Sequence, residues 1–142
     1  MSQIVEVGPS DARLDDVYPV LHELRTELTP EEFRTRYALG FPDGYRIAAL
    51  YDGDECRAVA GYRVLVNFVR GKVLYIDDLV TTNAWRSKGY GKALNEYLIE
   101  RARAEGCAAV TLDSHVDREG AHRFYFREGY AISSFHFGRF VE

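Results

Sequence analysis

The sequence predicts an α/β fold, with a mixed, mostly antiparallel central sheet of six to seven strands flanked by about four helices. Three observations carry that expectation. Apolar spacing is helical across residues 10–39 and becomes strand-like from Tyr45 onward. The turn residues Asp52-Gly53-Asp54 and Arg70-Gly71-Lys72 cut the strand-like stretch into three consecutive runs, as antiparallel hairpins require. After them, a basic glycine-punctuated turn opens an amphipathic helix that leads to another short apolar run. A helical crossover of that kind delivers a parallel strand.

Taken in order, Gln3–Val7 reads as a short strand closed by Gly8-Pro9. Ser10 or Asp11 can cap a helix whose apolar positions are Leu14, Val17, Val20, Leu21 and Leu24, and Pro19 inside it argues for a kink or an early end. Thr29-Pro30-Glu31-Glu32 combines a capping threonine, proline at the first helical position and glutamate three residues after the cap, so a second helix is expected over Pro30–Leu39. Tyr45–Tyr51, Glu55–Phe68 and Val73–Thr81 are the three hairpin strands. Tyr90–Glu105 is the crossover helix, burying Leu94, Tyr97, Leu98 and Ala102 and stopped by Gly106. Ala108–Asp113 is the next strand, Arg118–Glu128 a further helix ended by Gly129, and Tyr130–Val141 a final strand broken near Ser133-Ser134. Repeats, low-complexity tracts and linkers are absent, and 142 residues suit one domain spanning 1–142.

Composition narrows the function. Apolar content of 46% and charged content of 28% describe an ordinary globular chain. No apolar run approaches the ~20 residues of a membrane span, and the N-terminal stretch lacks a basic-then-apolar signal pattern, so no membrane partner and a cytoplasmic location are expected. A net charge of −4 argues against a nucleic-acid partner, which needs a broad basic face. Cys56 and Cys107 stand far apart without zinc-ligand spacing, so no metal is expected. They read as buried free thiols, with a disulfide left open.

Local charge is more telling. In the turn Arg86-Ser87-Lys88-Gly89-Tyr90-Gly91-Lys92, glycines let the chain curl with its N–H groups inward, the helix start adds partial positive charge, and three cations surround it. That arrangement suits a pyrophosphate. A Walker A loop would need glycine at Arg86 and Ser/Thr at Ala93, and a dinucleotide fingerprint would need glycine at Leu94 behind a first strand. Both fail. An ordinary glycine-rich turn with solvated lysines remains the plain alternative.

The turn resembles the acyl-CoA loop of the GCN5-related N-acetyltransferases, Arg/Gln-x-x-Gly-x-Gly/Ala, met here by Arg86, Gly89 and Gly91. Two further segments resemble the same family in the same order. Leu79-Val80-Thr81 is similar to the strand along which pantetheine lies, and Ala121-His122-Arg123-Phe124-Tyr125-Phe126-Arg127-Glu128-Gly129-Tyr130 is similar to Ala-x-x-Phe-Tyr-x-x-x-Gly-Phe. The βααβββαβαβ order also matches along nearly the whole chain.

The resemblance implies acetyl transfer from acetyl-CoA to a primary amine of a small molecule or peptide, by direct attack in a ternary complex. Main-chain N–H groups from Ser87 to Lys92, helped by Arg86 and Lys88, would hold the pyrophosphate, each charge-assisted bond contributing roughly 1.5–3 kcal/mol. Val80 and Thr81 would bond the pantetheine amides, and an N–H near Leu79 or Val80 would face the thioester carbonyl. Tyr125 matches the tyrosine assigned as general acid to the departing thiolate, against the alternative that Ala121, Phe124 and Tyr125 form a core stripe. Asp77 and Asp78 interrupt the strand before the pantetheine segment and, by alternation, point to opposite faces. One faces the acceptor cleft and takes the ammonium proton, with Asp78 preferred. The other caps a loop or pairs with an arginine. Asp113, Ser114 and His115 at the end of the following strand, and His136, are rival substrate residues.

Arg118 stands where many relatives have an asparagine, which unsettles one side-chain contact to the cofactor. Tyr37, Phe41, Tyr45, Phe135 and Phe137 are candidate liners of the acceptor pocket, and the carboxylates favour a cationic acceptor. Two other readings compete: a non-catalytic acyl-CoA-binding module or sensor on the same scaffold, and a structural dimerisation domain without affinity for CoA. A homodimer is expected by analogy alone.

Overall fold

A computed structural model describes residues 2–86 and 88–141. The chain falls into two compact units, one running to Thr111 and the other beginning at Leu112. Five strands are found among the described residues: β1 (Ser2–Val7), β2 (Arg46–Asp52), β3 (Glu55–Asn67), β4 (Gly71–Thr81) and β5 (Ala109–Leu112), lying side by side in that order. The first three pairings are antiparallel. The Ala108 N–H bonds the Lys72 carbonyl at 2.8 Å, so β5 starts level with the start of β4, as a parallel crossover strand does.

The expected count of six to seven strands is therefore corrected to five. Residues 130–141 carry no regular secondary structure, and Phe135, Phe137 and Phe140 are exposed. Alternating side chains give a segment one apolar face but cannot supply the neighbour whose N–H and C=O groups complete a ladder.

Four α-helices are found among the described residues: α1 (Leu14–Leu24), α2 (Pro30–Gly40), α3 (Tyr90–Ala104) and α4 (Glu119–Arg127). Helix α1 starts later than its cap residues suggested, because Asp11 accepts the Arg13 N–H at 2.9 Å and holds a turn ahead of the helix. Pro19 falls in the middle of α1, where its missing N–H removes a single helical bond, and the helix continues to Leu24. At α2 the capping box forms in full: Glu32 N–H donates to Thr29 Oγ1, and Thr29 N–H donates to Glu32 Oε1.

Strand alternation sorts the first unit's core. Val7, Ile47, Ala49, Val59 and Val80 pack with Leu14, Val17, Leu21, Phe33 and Tyr37 of α1 and α2. On the opposite face, the hydroxyls of Tyr62 (β3) and Tyr97 (α3) both donate to Glu6 of β1, which places α3 on that side. Helices thus cover both faces of the sheet.

Two irregularities break the ladder. Leu50 faces Ala58 while Tyr51 faces Cys56, which leaves Arg57 extra on β3. Gly61 faces Asp78 while Tyr62 faces Ile76, which leaves Asp77 extra on β4. A bulge frees one residue's main-chain groups from the ladder and bends the strand locally. Both freed carbonyls find donors: Arg57 C=O accepts the Thr82 N–H at 2.9 Å, and Asp77 C=O accepts Arg25 Nη2 at 3.1 Å.

Candidate active site

The residues expected to hold the acyl donor lie where β4 leads into α3. Strand β5 has four residues and begins level with Lys72, so it runs out before β4 reaches Asp77. Leu79, Val80 and Thr81 lie beyond that short ladder, while β3 pairs with their other edge. The Val80 side chain is buried in the core, which leaves the main chain as the group this segment offers.

Past Thr81 the chain is guided by Asn83 N–H donating to Glu23 Oε1 at 2.7 Å and by the Arg57 guanidinium stacked 3.9 Å over the Trp85 ring. Gly89 then adopts φ +83°, a left-handed conformation that β-carbon-bearing residues resist, and serves as N-cap of α3. Among the described residues no side chain caps this helix, and the Ala93 N–H bonds the Gly89 C=O. A Cβ built at Gly89 meets no atom of the described residues within 4 Å, apart from its chain neighbours, so there is open space at that point of the turn.

An uncapped helix start with open space at its mouth fits a diphosphate. The Tyr90 hydroxyl donates to Asp52 Oδ2 at 2.5 Å and ties this helix start to the end of β2. Lys92 pairs with Glu96 at 2.9 Å, one turn along the same helix. Arg86 and Lys88 flank the turn, and Ser87 lies outside the described residues.

A cavity of about 600 Å³ lies between α1, α2 and the sheet. Its apolar floor is made by Leu21, Leu28, Phe33, Tyr37, Ile47 and Val59, and Asp78 stands at its polar end. Both Asp78 oxygens are engaged: Arg25 Nε lies 2.5 Å from Oδ1, and the Tyr45 hydroxyl donates to Oδ2 at 2.7 Å. Burial, reinforced by the Asp78 charge, pushes the Tyr45 phenol far above its ordinary range, so it remains a donor. Gly61 makes this contact available, because any Cβ there would overlap Tyr45 Oη.

The two aspartates do not separate as alternation predicts. Asp77 receives Arg63 Nε at 2.9 Å and Nη2 at 2.8 Å, and Arg63 follows Gly61 by two residues on the same face of β3. The extra residue of the bulge cancels the period of two, so both carboxylates meet their partners on the α1–α2 side. Burial raises the Asp77 carboxyl above its usual range, with the Arg63 pair opposing that shift.

The second unit holds the other residues singled out in the sequence. Tyr125 is the buried residue of α4, its ring edge-on to Phe124 and Tyr130. Burial pushes the Tyr130 phenol up to about 12. His136 Nδ1 is 3.7 Å from Asp113 Oδ2, whereas His115 Nδ1 turns to Asp117 Oδ1 at 2.6 Å. Ser114 Oγ is buried without a hydrogen-bond partner, and Arg118 precedes α4 without capping it through its side chain. Phe135 and Phe137 are exposed, while Tyr37 and Tyr45 line the cavity. Among the described residues no group of three His, Cys, Asp or Glu side chains is placed to hold a metal.

Sequence reasoning missed Arg25, Arg63 and Gly61. Arg25 ends α1 as an unremarkable surface cation, and its partner lies 53 residues away. A glycine within the apolar run of β3 was the available hint of a close backbone approach.

The model of the Acetyltransferase (GNAT) family matches residues 14–130. The chain is 43% identical over 122 residues to the N-acetyltransferase YhdJ of Bacillus subtilis (strain 168), covering 84% of this chain and 86% of that protein. It is 32% identical over 127 residues to an aminoalkylphosphonate N-acetyltransferase of Salmonella typhimurium, covering 87% and 82% respectively. The fold superposes on the aminoglycoside N-acetyltransferase AAC(6')-Iy, solved in complex with CoA, with a TM-score of 0.87 over 99% of this chain and 95% of that one, at 11% identity. This protein belongs to the GNAT family of acetyltransferases.

Proposed function

We propose that this protein transfers an acetyl group from acetyl-CoA to a primary amine of a small molecule that enters the α1–α2 cavity. The observation that carries this reading is the continuity of β4. Asp78 lines the cavity, and the next three residues, Leu79–Thr81, run along the strand's open edge toward the uncapped start of α3. An acceptor site and a donor cradle therefore share one strand.

Acetyl-CoA supplies the activated acyl group. The main chain at Gly89, Tyr90 and Gly91, with Arg86, Ser87, Lys88 and Lys92 around it, would hold the diphosphate. Val80 and Thr81 would bond the pantetheine amides, and the Leu79–Val80 main chain would donate toward the thioester carbonyl. Asp78 orients the incoming ammonium and takes its proton directly or through a water, since each carboxylate oxygen keeps a lone pair beyond its present bond. Asp77 is the poorer base because Arg63 occupies both of its oxygens. Tyr125 is the proposed donor of a proton to the departing thiolate. The relatives named above for aminoalkylphosphonates and aminoglycosides support a small-molecule acceptor over a peptide. The same reading takes the chain as one acetyltransferase domain acting in the cytoplasm, where acetyl-CoA is made, with a homodimer as the assembly to test by light scattering.

The deciding experiment is release of free CoA across a panel of amines, with Asp78→Asn as control. Turnover should fall by about a hundredfold or more in the variant, while acetyl-CoA affinity holds. One observation favours the sensor reading: both Asp78 oxygens are already bonded. That reading predicts acetyl-CoA binding without CoA release on every amine.

A further inference from the structure

The chemistry of the cavity also restricts what the amine is attached to, an inference that rests on the acceptor assignment above. The floor is apolar, and its one aromatic hydroxyl is spent elsewhere: Tyr37 donates to the Val7 carbonyl and so presents its ring to the cavity. Carboxylates outnumber guanidinium groups in the lining by three (Glu27, Glu32, Asp78) to two (Arg25, Arg36). Neither arginine is uncommitted. Arg25 bonds Asp78 and the Asp77 carbonyl, and Arg36 Nη2 lies 3.4 Å from Glu32 Oε2.

A phosphate or phosphonate in this cavity would meet an excess of negative charge with its cations already paired, and buried charge of that kind is costly. A sugar would have to bury hydroxyls against Leu21, Leu28, Ile47 and Val59, which offer no side-chain partners. The arginine bonds engage Asp78 and Glu32 as well, so the lining carries one surplus negative charge. An ammonium gains from it and from the lone pairs Asp78 keeps beyond its bonds to Arg25 and Tyr45, and an apolar body gains from the floor. The geometry points to an alkyl or arylalkyl amine as the acceptor, with its ammonium at Asp78 and Tyr45 and its apolar body on the Leu21–Leu28–Phe33–Val59 floor.

The test is calorimetric titration of the CoA-saturated protein with 2-phenylethylamine, glucosamine and 2-aminoethylphosphonate, run beside CoA-release assays on the same amines. Phenylethylamine is expected to bind at least tenfold tighter than either polar amine. Leu28→Asn and, independently, Leu24→Asn should each erase most of that preference, with an unchanged thermal melt and CoA titration reporting an intact fold. Equal or tighter binding of glucosamine or the phosphonate overturns the inference, as does absence of phenylethylamine binding. Phenylethylamine binding without turnover keeps the inference and overturns the enzymatic reading. Turnover of the phosphonate amine alone does the reverse.

Discussion

The ring of Tyr45 lies against the backbone of Gly61, and only the missing Cβ at position 61 lets its hydroxyl reach Asp78. Gly61→Ala is therefore expected to push Tyr45 out of its place and to lower stability by roughly 1–3 kcal/mol, the usual cost of overfilling a packed site. It should also weaken amine turnover. Adding Tyr45→Phe to that variant removes the overlapping oxygen and should recover part of the lost stability but not the activity. Urea unfolding and CoA release on the four proteins check both statements, and an additive loss would show that the two residues do not compete for space.

Tyr125→Phe should lower kcat while leaving acetyl-CoA affinity nearly intact, as for a group whose contribution is confined to the transition state. The ring contacts with Phe124 and Tyr130 survive the change, and a thermal melt run beside the assay reports the fold. An unchanged kcat would assign Tyr125 to packing.

At Gly89 the cost of a side chain lies in the backbone. The conformation at φ +83° disfavours any β-carbon by about 1–2 kcal/mol, although no atom of the described residues beyond its chain neighbours stands within 4 Å of that carbon. Gly89→Val should thus fold with a modestly lower melting temperature and lose CoA affinity by tenfold or more, since the side chain would occupy the open mouth of α3. Retained affinity in a dye-displacement titration would place the diphosphate elsewhere.

Cys56 gives a pH signature. Burial pushes its thiol up to about 12, so at pH 8 its thiolate is about a thousandfold scarcer than that of an ordinary cysteine. Labelling of the native protein by iodoacetamide at Cys56 should keep accelerating past pH 9 rather than levelling there. The linked effect on stability has a definite sign. The folded state holds this proton longer than the unfolded chain, so the contribution is complete below the ordinary thiol range and is lost as pH rises toward 12. Cys56→Ala should flatten that alkaline limb of the stability profile.

The helices and the first four strands were legible because their signals are local. Thr29 and Glu32 sit three residues apart, Gly53 and Gly71 mark tight turns, and Gly106 and Gly129 take the left-handed conformation that ends α3 and α4. The proposed donor turn is a local signal too, since Arg86 to Lys92 is one short stretch. The contacts around Asp78 were not legible. Arg25, Tyr45, Gly61 and Asp78 come from four separate stretches of the chain, and what joins them is a bulge that no periodicity reports. The final segment failed in the opposite sense: Phe135 and Phe137 alternate as a strand does, but a strand is defined by its neighbour and not by its own sequence.

Arg25 fastens the end of α1 to β4 twice, once through a side chain and once through the main chain of the bulge. That double tether makes the α1 flank of the cavity a fixed jamb. The α2 flank is held as well, by the Tyr18 hydroxyl on the Leu28 carbonyl and the Tyr37 hydroxyl on the Val7 carbonyl, so a bulky guest has to be met by rearranged side chains on the floor rather than by a swing of either helix.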